Sequence, residues 1–95
     1  MHIITRKRLL EFAKRRPDCS TAVESWYRIV KHTDFNSLQE LRQTFPSADK
    51  VGNLTVFNVG GNKVRLIAAI HYNRHKVYIR HVLTHEEYDR GFWRE

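Results

Sequence analysis

The chain has 95 residues, a length that suits one domain with a single hydrophobic core. Its 17 Lys and Arg residues outnumber its 10 Asp and Glu residues, and the formal net charge of +7 favours an acidic partner such as nucleic acid or an acidic protein. No apolar run approaches the roughly 20 residues that span a bilayer, and the start of the chain lacks the pattern of a secretory signal. We therefore expect a cytoplasmic protein with no membrane partner. The single Cys19 excludes an internal disulfide and a cysteine-rich zinc site, so packing alone must hold the fold.

Helical patterns fill the first half of the chain. A short apolar alternation at Met1–Thr5 predicts an edge strand, and a basic helix follows over Arg6–Arg16, ended by Pro17. Thr21 stands three residues before Glu24, which is the spacing of a capping box, so a second helix is predicted to open there.

The second half is rich in β-branched residues. A third, short helix is predicted from the capping pair Asn36 and Gln39 to Pro46. Three strands then follow, joined by hairpin turns at residues 60–62 and 73–75. Their predicted bounds are Thr55–Val59, Val64–Tyr72 and Val77–Leu83. The order predicts an α+β fold, a compact single domain over residues 1–95 with N-terminal helices packed on an antiparallel β-meander.

The middle strand has one apolar and one mixed face. Side chains alternate along a strand, so one face carries Val64, Leu66, Ala68 and Ile70, and the other carries Arg65, Ile67, Ala69 and His71. If the helices cover the apolar face, the mixed face is left open and basic, with Lys63 and Arg80 at its margin. A solvated face with ordinary surface cations is the alternative interpretation, because scattered charge is common on protein surfaces.

The segment after the last strand has the pattern of a helix start. Thr84 and Glu87 have capping-box spacing, which places His85 on the first helical turn, where backbone N–H groups favour anions. Tyr88 lies three residues further on and shares that helical face, so His85 and Tyr88 can address one ligand. A surface histidine beside a cap would give the same pattern for His85 alone.

Other site chemistries find little support in the pattern. His71, His75, His81 and His85 recur every four residues, but this step brings ligands together only on a helix, so we expect neither a metal site nor any other cofactor. The stretch from Gly60 to Lys63 lacks the ending of a phosphate-binding P-loop and is interpreted as a hairpin turn.

The residues Arg65, His85 and Tyr88 match the needs of metal-independent RNA cleavage. Attack of a 2′-hydroxyl on the adjacent phosphate requires one proton to be taken, another to be given, and negative charge to be stabilised. Histidine transfers protons near neutral pH, arginine binds phosphate through two N–H groups, and tyrosine supplies a hydroxyl and a stacking surface. DNA lacks the attacking 2′-hydroxyl, so RNA is the better substrate.

Three stretches resemble a known family. ELRQTFPSAD at 40–49, VFNVGGNKVRLIAAIHYN at 56–73 and IRHVLTHEEYD at 79–89 are similar to HigB-family toxins of bacterial type II toxin-antitoxin modules, and the likeness runs over essentially the whole chain. The resemblance implies a RelE-like fold and endoribonuclease activity on mRNA at the translating ribosome. It also implies a HigA-type antitoxin that carries a helix-turn-helix. The toxin would contact DNA only through this antitoxin.

The resemblance also implies roles for individual residues. Arg65 matches the strand arginine that meets phosphate in RelE-like toxins, His85 the C-terminal acid or base, and Tyr88 the aromatic or hydroxyl group. Further RNA contacts are expected from four basic side chains on the same strands: Lys63, His71, Arg80 and His81.

The sequence departs from the family pattern in two ways. Leu54 stands where a basic residue is expected. Some branches of RelE-like toxins use a carboxylate as the base, and here the nearest candidates are Glu86 and Glu87, although the capping box already explains Glu87. Two alternatives stay open: a non-catalytic basic module that binds nucleic acid, and a protein-interaction domain, which an apolar open face would favour.

Overall fold

The sheet is the centre of the molecule. In a computed structural model, which describes residues 1–61 and 63–94, five strands of the described chain form one sheet in the order β1-β5-β4-β3-β2. The strands are β1 (His2–Ile4), β2 (Asp49–Val51), β3 (Leu54–Val59), β4 (Val64–His71) and β5 (Lys76–Thr84). β2 to β5 form the antiparallel meander that the sequence predicts, but β1 pairs with β5 in parallel, so the sheet is mixed. The α+β fold is confirmed.

Three helices precede the meander and a fourth follows it in the described chain. Their bounds are α1 (Arg6–Arg15), α2 (Ser20–Lys31), α3 (Leu38–Thr44) and α4 (His85–Asp89), with 3₁₀ turns at Pro17–Cys19, Tyr72–Arg74 and Phe92–Arg94. Among the described residues, no helix has the length and apolar character needed to cross a bilayer.

Two of the predicted helix starts are wrong. A 3₁₀ turn leads directly into α2, so Thr21 lies inside the helix and Cys19 stands at the cap position. The cap of α3 is one residue later than predicted: the Ser37 hydroxyl accepts from the Glu40 amide at 3.2 Å, and the Glu40 carboxylate accepts from the Asn36 amide at 2.7 Å. The first error arises because the 3₁₀ turn continues into α2 without a side-chain cap, and the second because the neighbours Asn36 and Ser37 both fit the capping pattern.

The main core lies between the helices and one face of the sheet. Leu9 and Phe12 of α1 and Trp26 of α2 pack there against the even-numbered residues of β4. Val64, Leu66 and Ala68 are fully buried in this cluster, with Ile70 partly buried beside them, as the alternation predicts. The helices therefore fix the orientation of β4 and send its odd-numbered side chains to the opposite face.

The opposite face is not open along its whole length. Val56, Ile67 and Trp93 form a second buried cluster there, with Tyr88 and Leu83 packed against it. The predicted open basic surface is therefore wrong at this end, because the segment after β5 folds back over the sheet. Gly91, at a φ of 78°, provides the left-handed turn that lets the chain reverse after α4.

An irregularity in β5 changes which side chains reach which face. Ile67 pairs with His81, but its neighbour Ala68 pairs with Ile79, so Arg80 is an extra residue in β5. Such a bulge shifts the alternation by one position. Val77 and Ile79 consequently point to the main core, and beyond the bulge His81 shares a face with Ile67.

The amino group of Met1 connects the start of the first strand to the end of α2. Its ammonium group donates hydrogen bonds to the carbonyls of Val30 and Lys31 at the end of α2, at 2.9 and 3.2 Å, and lies 3.2 Å from the Asp34 carboxylate. A positive charge is favourable at a helix C-terminus. This contact fixes the start of β1 against the end of α2.

The turns of the meander agree with the sequence pattern. Gly60 and Gly61 both adopt left-handed conformations, with φ of 63° and 69°, as a tight hairpin turn requires. Asn62, the third residue of the predicted turn, lies outside the described residues.

Candidate active site

Arg65 is a buried cation on the second face of the sheet. It pairs with Leu83 of β5 and with Asn58 of β3, and only 8% of its surface is exposed. Its Nη1 atom is buried and has no hydrogen-bond partner among the described residues. An unpaired buried N–H lowers stability, typically by about 1–3 kcal/mol and by more in a charged group. A buried residue that lowers the stability of the fold in this way is a candidate for a functional role.

Tyr88 covers Arg65. The guanidinium carbon lies 5.5 Å from the centre of the Tyr88 ring, which is within cation–π range. Trp93 also stacks on this ring, with centroids 5.0 Å apart and planes 12° from parallel, and its indole N–H donates to the Tyr88 carbonyl at 3.0 Å. Tyr88 is thus positioned by contacts with a cation and with a second aromatic ring.

The start of α4 brings His85 to the same end of the sheet. The predicted capping box is confirmed: the Glu87 amide donates to the Thr84 hydroxyl at 3.2 Å, and the Thr84 amide donates to the Glu87 carboxylate at 2.9 Å. The His85 side chain is 50% exposed, and its Nε2 lies 3.2 Å from the Asp89 carboxylate. Its backbone amide donates to the Lys63 carbonyl at 3.2 Å, so Lys63 lies beside the start of the helix.

Glu87 links α4 to α1. In addition to the cap, its carboxylate lies 3.2 Å from the Arg15 guanidinium. The hydrogen bond from the Thr84 backbone, more than any other cause, lowers the pKa of Glu87. Burial, the next largest effect, raises this pKa, and the Thr84 hydroxyl and Arg15 lower it further. Because this carboxylate is already occupied by cap and ion pair, it is a poor choice of general base.

His81 is partly buried on the side of β5 that faces Arg65. Residues on the same face of neighbouring strands, displaced by two positions, lie about 7–8 Å apart, and His81 stands in this relation to Arg65. Burial is the main cause that lowers the pKa of His81, and the positive charges of Arg8 and Arg80 lower it further.

The predicted site residues fall into two groups. Lys63, Arg65, His85 and Tyr88 come together at one end of the sheet, with His81 on the same face. His71 does not join them: it lies six residues from Arg65 at the far end of β4, about 20 Å along the strand, and packs edge-on against Tyr78 at 5.2 Å. Arg80 is exposed at the bulge.

Sequence reasoning missed the contribution of α1 to this region. Arg8 and Arg15 line a cleft against β5, and Arg15 reaches α4 through its ion pair with Glu87. The basic helix was predicted, but the contact joins residues 72 positions apart, which a local pattern does not reveal. Trp93 was also missed as the residue that fixes Tyr88.

Metal ligation finds no geometric basis in the described chain. Among residues 1–61 and 63–94, no three His, Cys, Asp or Glu side chains lie close enough to hold a metal ion together.

Comparison with known proteins identifies related sequences. Residues 19–91 match the sequence profile of the HigB toxin family, described as the RelE-like toxic component of a toxin-antitoxin system. The mRNA interferase HigB of Escherichia coli O6:H1 (strain CFT073) is 37% identical over 93 residues, which cover 95% of this chain and 90% of the relative. The mRNA interferase toxin HigB of Escherichia coli K12 and the mRNA interferase HigB of Shigella flexneri are both 38% identical over 92 residues, or 94% of this chain and 88% of each relative.

Proposed function

The chain belongs to the HigB family of RelE-like toxins, and from this membership we propose that it is an endoribonuclease that cleaves mRNA on the translating ribosome. Cleavage would inhibit translation and growth until an antitoxin neutralises the toxin. The reaction uses attack by the RNA 2′-hydroxyl and needs no metal ion. The whole chain, residues 1–95, acts as one toxin domain in the cytoplasm, where mRNA and ribosomes are found.

The observation that carries this proposal is the Arg65 guanidinium with its unpaired buried N–H. A phosphate oxygen supplies the acceptor that this nitrogen lacks once the covering Tyr88 ring moves aside. Arg65 then stabilises negative charge on the phosphate, for which guanidinium geometry is well suited.

His85 and Tyr88 complete the proposed catalytic group. His85 is exposed, so substrate can approach it, and the Asp89 carboxylate orients its imidazole for proton transfer. Tyr88 offers an aromatic surface and a hydroxyl next to Arg65. Lys63, Arg80 and His81 contact the RNA around the cleavage position, while His71 contacts it further away, because it lies at the opposite end of β4.

The proposed partners follow from the family and the charge. A HigA-type antitoxin with a helix-turn-helix neutralises the toxin and binds DNA, so that DNA is contacted only indirectly. An acidic antitoxin segment would be attracted to a protein with a net charge of +7.

The proposal is tested by inducing the chain in bacteria that lack its antitoxin and mapping the 5′ ends of cellular mRNA. We expect growth arrest and new 5′ ends inside translated regions. A reporter mRNA with its start codon removed is the control, because an untranslated copy should stay intact. Harmless expression of folded protein, or equal cleavage of both reporters, would contradict a ribosome-dependent toxin.

The same assay distinguishes the alternative of a non-catalytic nucleic-acid-binding module. A module that only binds RNA loses affinity with each cation removed and generates no new 5′ ends. A nuclease loses rate much more than affinity when His85 is replaced.

A further inference from the structure

Two clefts meet at His81. The first, of about 340 Å³, lies between α1 and β5 and is lined by Arg8, Arg15, His81 and Glu87 among others. The second, of about 200 Å³, lies under the C-terminal turn and shares His81 and Glu87 with the first. His81 is therefore accessible to a strand that passes from one cleft to the other.

The bulge in β5 is what brings His81 to this position. With Arg80 as an extra residue, the side chain of His81 moves to the face that carries Arg65 and Ile67. Without the extra residue, the alternation of β5 from Val77 and Ile79 would direct His81 towards the main core. Bulges of this kind are frequent next to active sites, where they redirect a side chain.

The surroundings of His81 suit a proton acceptor beside phosphate. Arg8, Glu11 and Arg15 face it from α1, Glu87 from α4, and Arg80 adjoins it in β5. Burial, together with Arg8 and Arg80, lowers the pKa of His81, which favours the neutral imidazole, the form that accepts a proton. The same arginines attract the RNA backbone into the cleft.

From this arrangement we infer that His81 accepts the proton of the attacking 2′-hydroxyl, and that the α1–β5 cleft holds the RNA strand at the cleavage position. The inference rests on the endoribonuclease function proposed above and assigns one of its two proton transfers. The 2′ O–H bond breaks as its proton passes to His81, and the 2′-oxygen bonds to phosphorus. The bond from phosphorus to the 5′-oxygen breaks, and His85 donates the proton that this oxygen takes up. The products are a 2′,3′-cyclic phosphate and a 5′-hydroxyl.

The test compares His81→Gln with His32→Gln, which changes the same residue type at an exposed position at the end of α2, away from the proposed site. Single-turnover cleavage of ribosome-bound mRNA is measured between pH 5.5 and 8.0, beside ribosome affinity and thermal melting. The wild-type rate should rise with pH through the pKa of His81, which lies below the ordinary value near 6.5. His81→Gln should lose about 100- to 10,000-fold in rate at pH 7.5, the usual contribution of positioned acid or base catalysis, and lose this rise. Its ribosome affinity should stay within about threefold of wild type.

The matched variant and a second substitution protect the conclusion. His32→Gln should keep both the rate and the pH profile. If His81→Gln melts early, His81→Asn replaces it under the same expectation. A His81 variant that cleaves within tenfold of wild type with an unchanged pH profile would overturn the inference, as would equal losses of rate and affinity. Wild-type protein that cleaves nothing would instead reject the proposed function itself.

Discussion

Arg65 combines two properties that rarely coexist in a small protein core. It is buried beneath an aromatic ring, and one of its donor nitrogens is unpaired among the described residues. Burial of a charge costs several kcal/mol unless its hydrogen bonds are complete. The charge of Arg65 therefore lowers the stability of the fold, although the proposed function needs it.

Arg65→Met should separate the effects of this charge on stability and on function. Methionine keeps most of the volume beneath Tyr88 while removing the charge and the unpaired donor, so we expect the melting temperature to stay the same or rise. Replacing buried ionic groups by apolar ones has raised stability by about 1–4 kcal/mol in other proteins. Cleavage of ribosome-bound mRNA should nevertheless be lost. Melting curves and the cleavage assay, run on the same preparation, measure both effects. An inactive variant that is also much less stable would mean that Arg65 serves mainly the fold.

Glu87 should make stability depend on pH. Its pKa is lowered in the folded protein, chiefly by the Thr84 backbone hydrogen bond. The ionised carboxylate therefore contributes stability above its ordinary pKa near 4.5, and this contribution disappears as the pH falls through the lower folded value. Urea unfolding between pH 7 and pH 3 should show the decline in wild type.

Glu87→Gln should flatten this decline, because glutamine can keep the cap bond but does not titrate. At pH 7 the loss should stay below about 1 kcal/mol, since the Arg15 partner is mostly exposed to solvent. Glu11→Gln is the control, because the ion pair of Glu11 with Lys7 is long, at 3.9 Å, and exposed. If Glu87→Gln follows the wild-type curve, the lowered pKa has no effect on folding.

At the scale of elements, the β5 bulge determines which side chains of this strand lie on each of the two faces of the sheet. Val77 and Ile79 are almost fully buried on the main core before it, and His81 and Leu83 lie on the other face after it. Deleting Arg80 would restore regular alternation along β5. The side chains before the bulge or those after it would then point to the wrong face of the sheet. We expect the deletion to abolish cooperative melting, whereas Arg80→Ala, which keeps the residue count, should fold normally. Circular dichroism melts of the pair measure this. A cooperatively folded deletion variant would show that β5 tolerates the shift.

The cap of α4 is a second element with a measurable role. Thr84→Ala removes the acceptor for the Glu87 amide and should cost about 1 kcal/mol in free energy of unfolding, the usual effect of losing such a cap. Thr44→Ala, at the exposed last residue of α3, is the matched change and should cost much less. Denaturant unfolding of both variants provides the comparison, and equal losses would contradict a special role for the cap.

How well the sequence predicted each element depended on the range of the interactions that form it. The helix over Arg6–Arg15 and the alternation of β4 follow from local periodicity, and the Thr84 cap from four adjacent residues. β2 was not predicted, because three residues with a polar start show no periodicity. The bulge at Arg80 was also missed, since it becomes visible only when β5 is paired with β4.

The candidate site shows the same division. From the sequence, Arg65, His85 and Tyr88 were correctly expected at one end of the sheet. Arg65 was wrongly expected on an open surface, because Trp93 covers the second face through a tertiary contact that a local pattern does not reveal. His71 was assigned to the same surface by alternation alone. Alternation indicates the face on which a side chain lies but not the distance along the strand.

At the scale of the whole molecule, the excess positive charge should govern association. Lys7 and Lys14 lie seven residues apart on exposed positions of α1, and therefore on one side of that helix. Replacing both with Glu should weaken binding of an acidic antitoxin more than about tenfold at low salt, and the difference should shrink as salt is added. Titration calorimetry at two salt concentrations provides the measurement. Because one Lys→Glu change alters half as much charge as two, position is tested with single variants that carry equal charge: Lys14→Glu on α1 and Lys50→Glu on the opposite edge of the sheet. Equal effects from both edges would contradict docking against α1.

The strand order has a consequence for the point in synthesis at which the sheet can form. β5 stands between β1 and β4, so β1 has no strand to pair with until residues 76–78 have been synthesised. Arg65 likewise lacks its neighbour Leu83 and its covering Tyr88 until residues 83–88 exist. Pairing between segments so far apart in sequence cannot precede the later one. A growing chain therefore cannot complete the sheet or cover Arg65 until residues 76–88 have been synthesised.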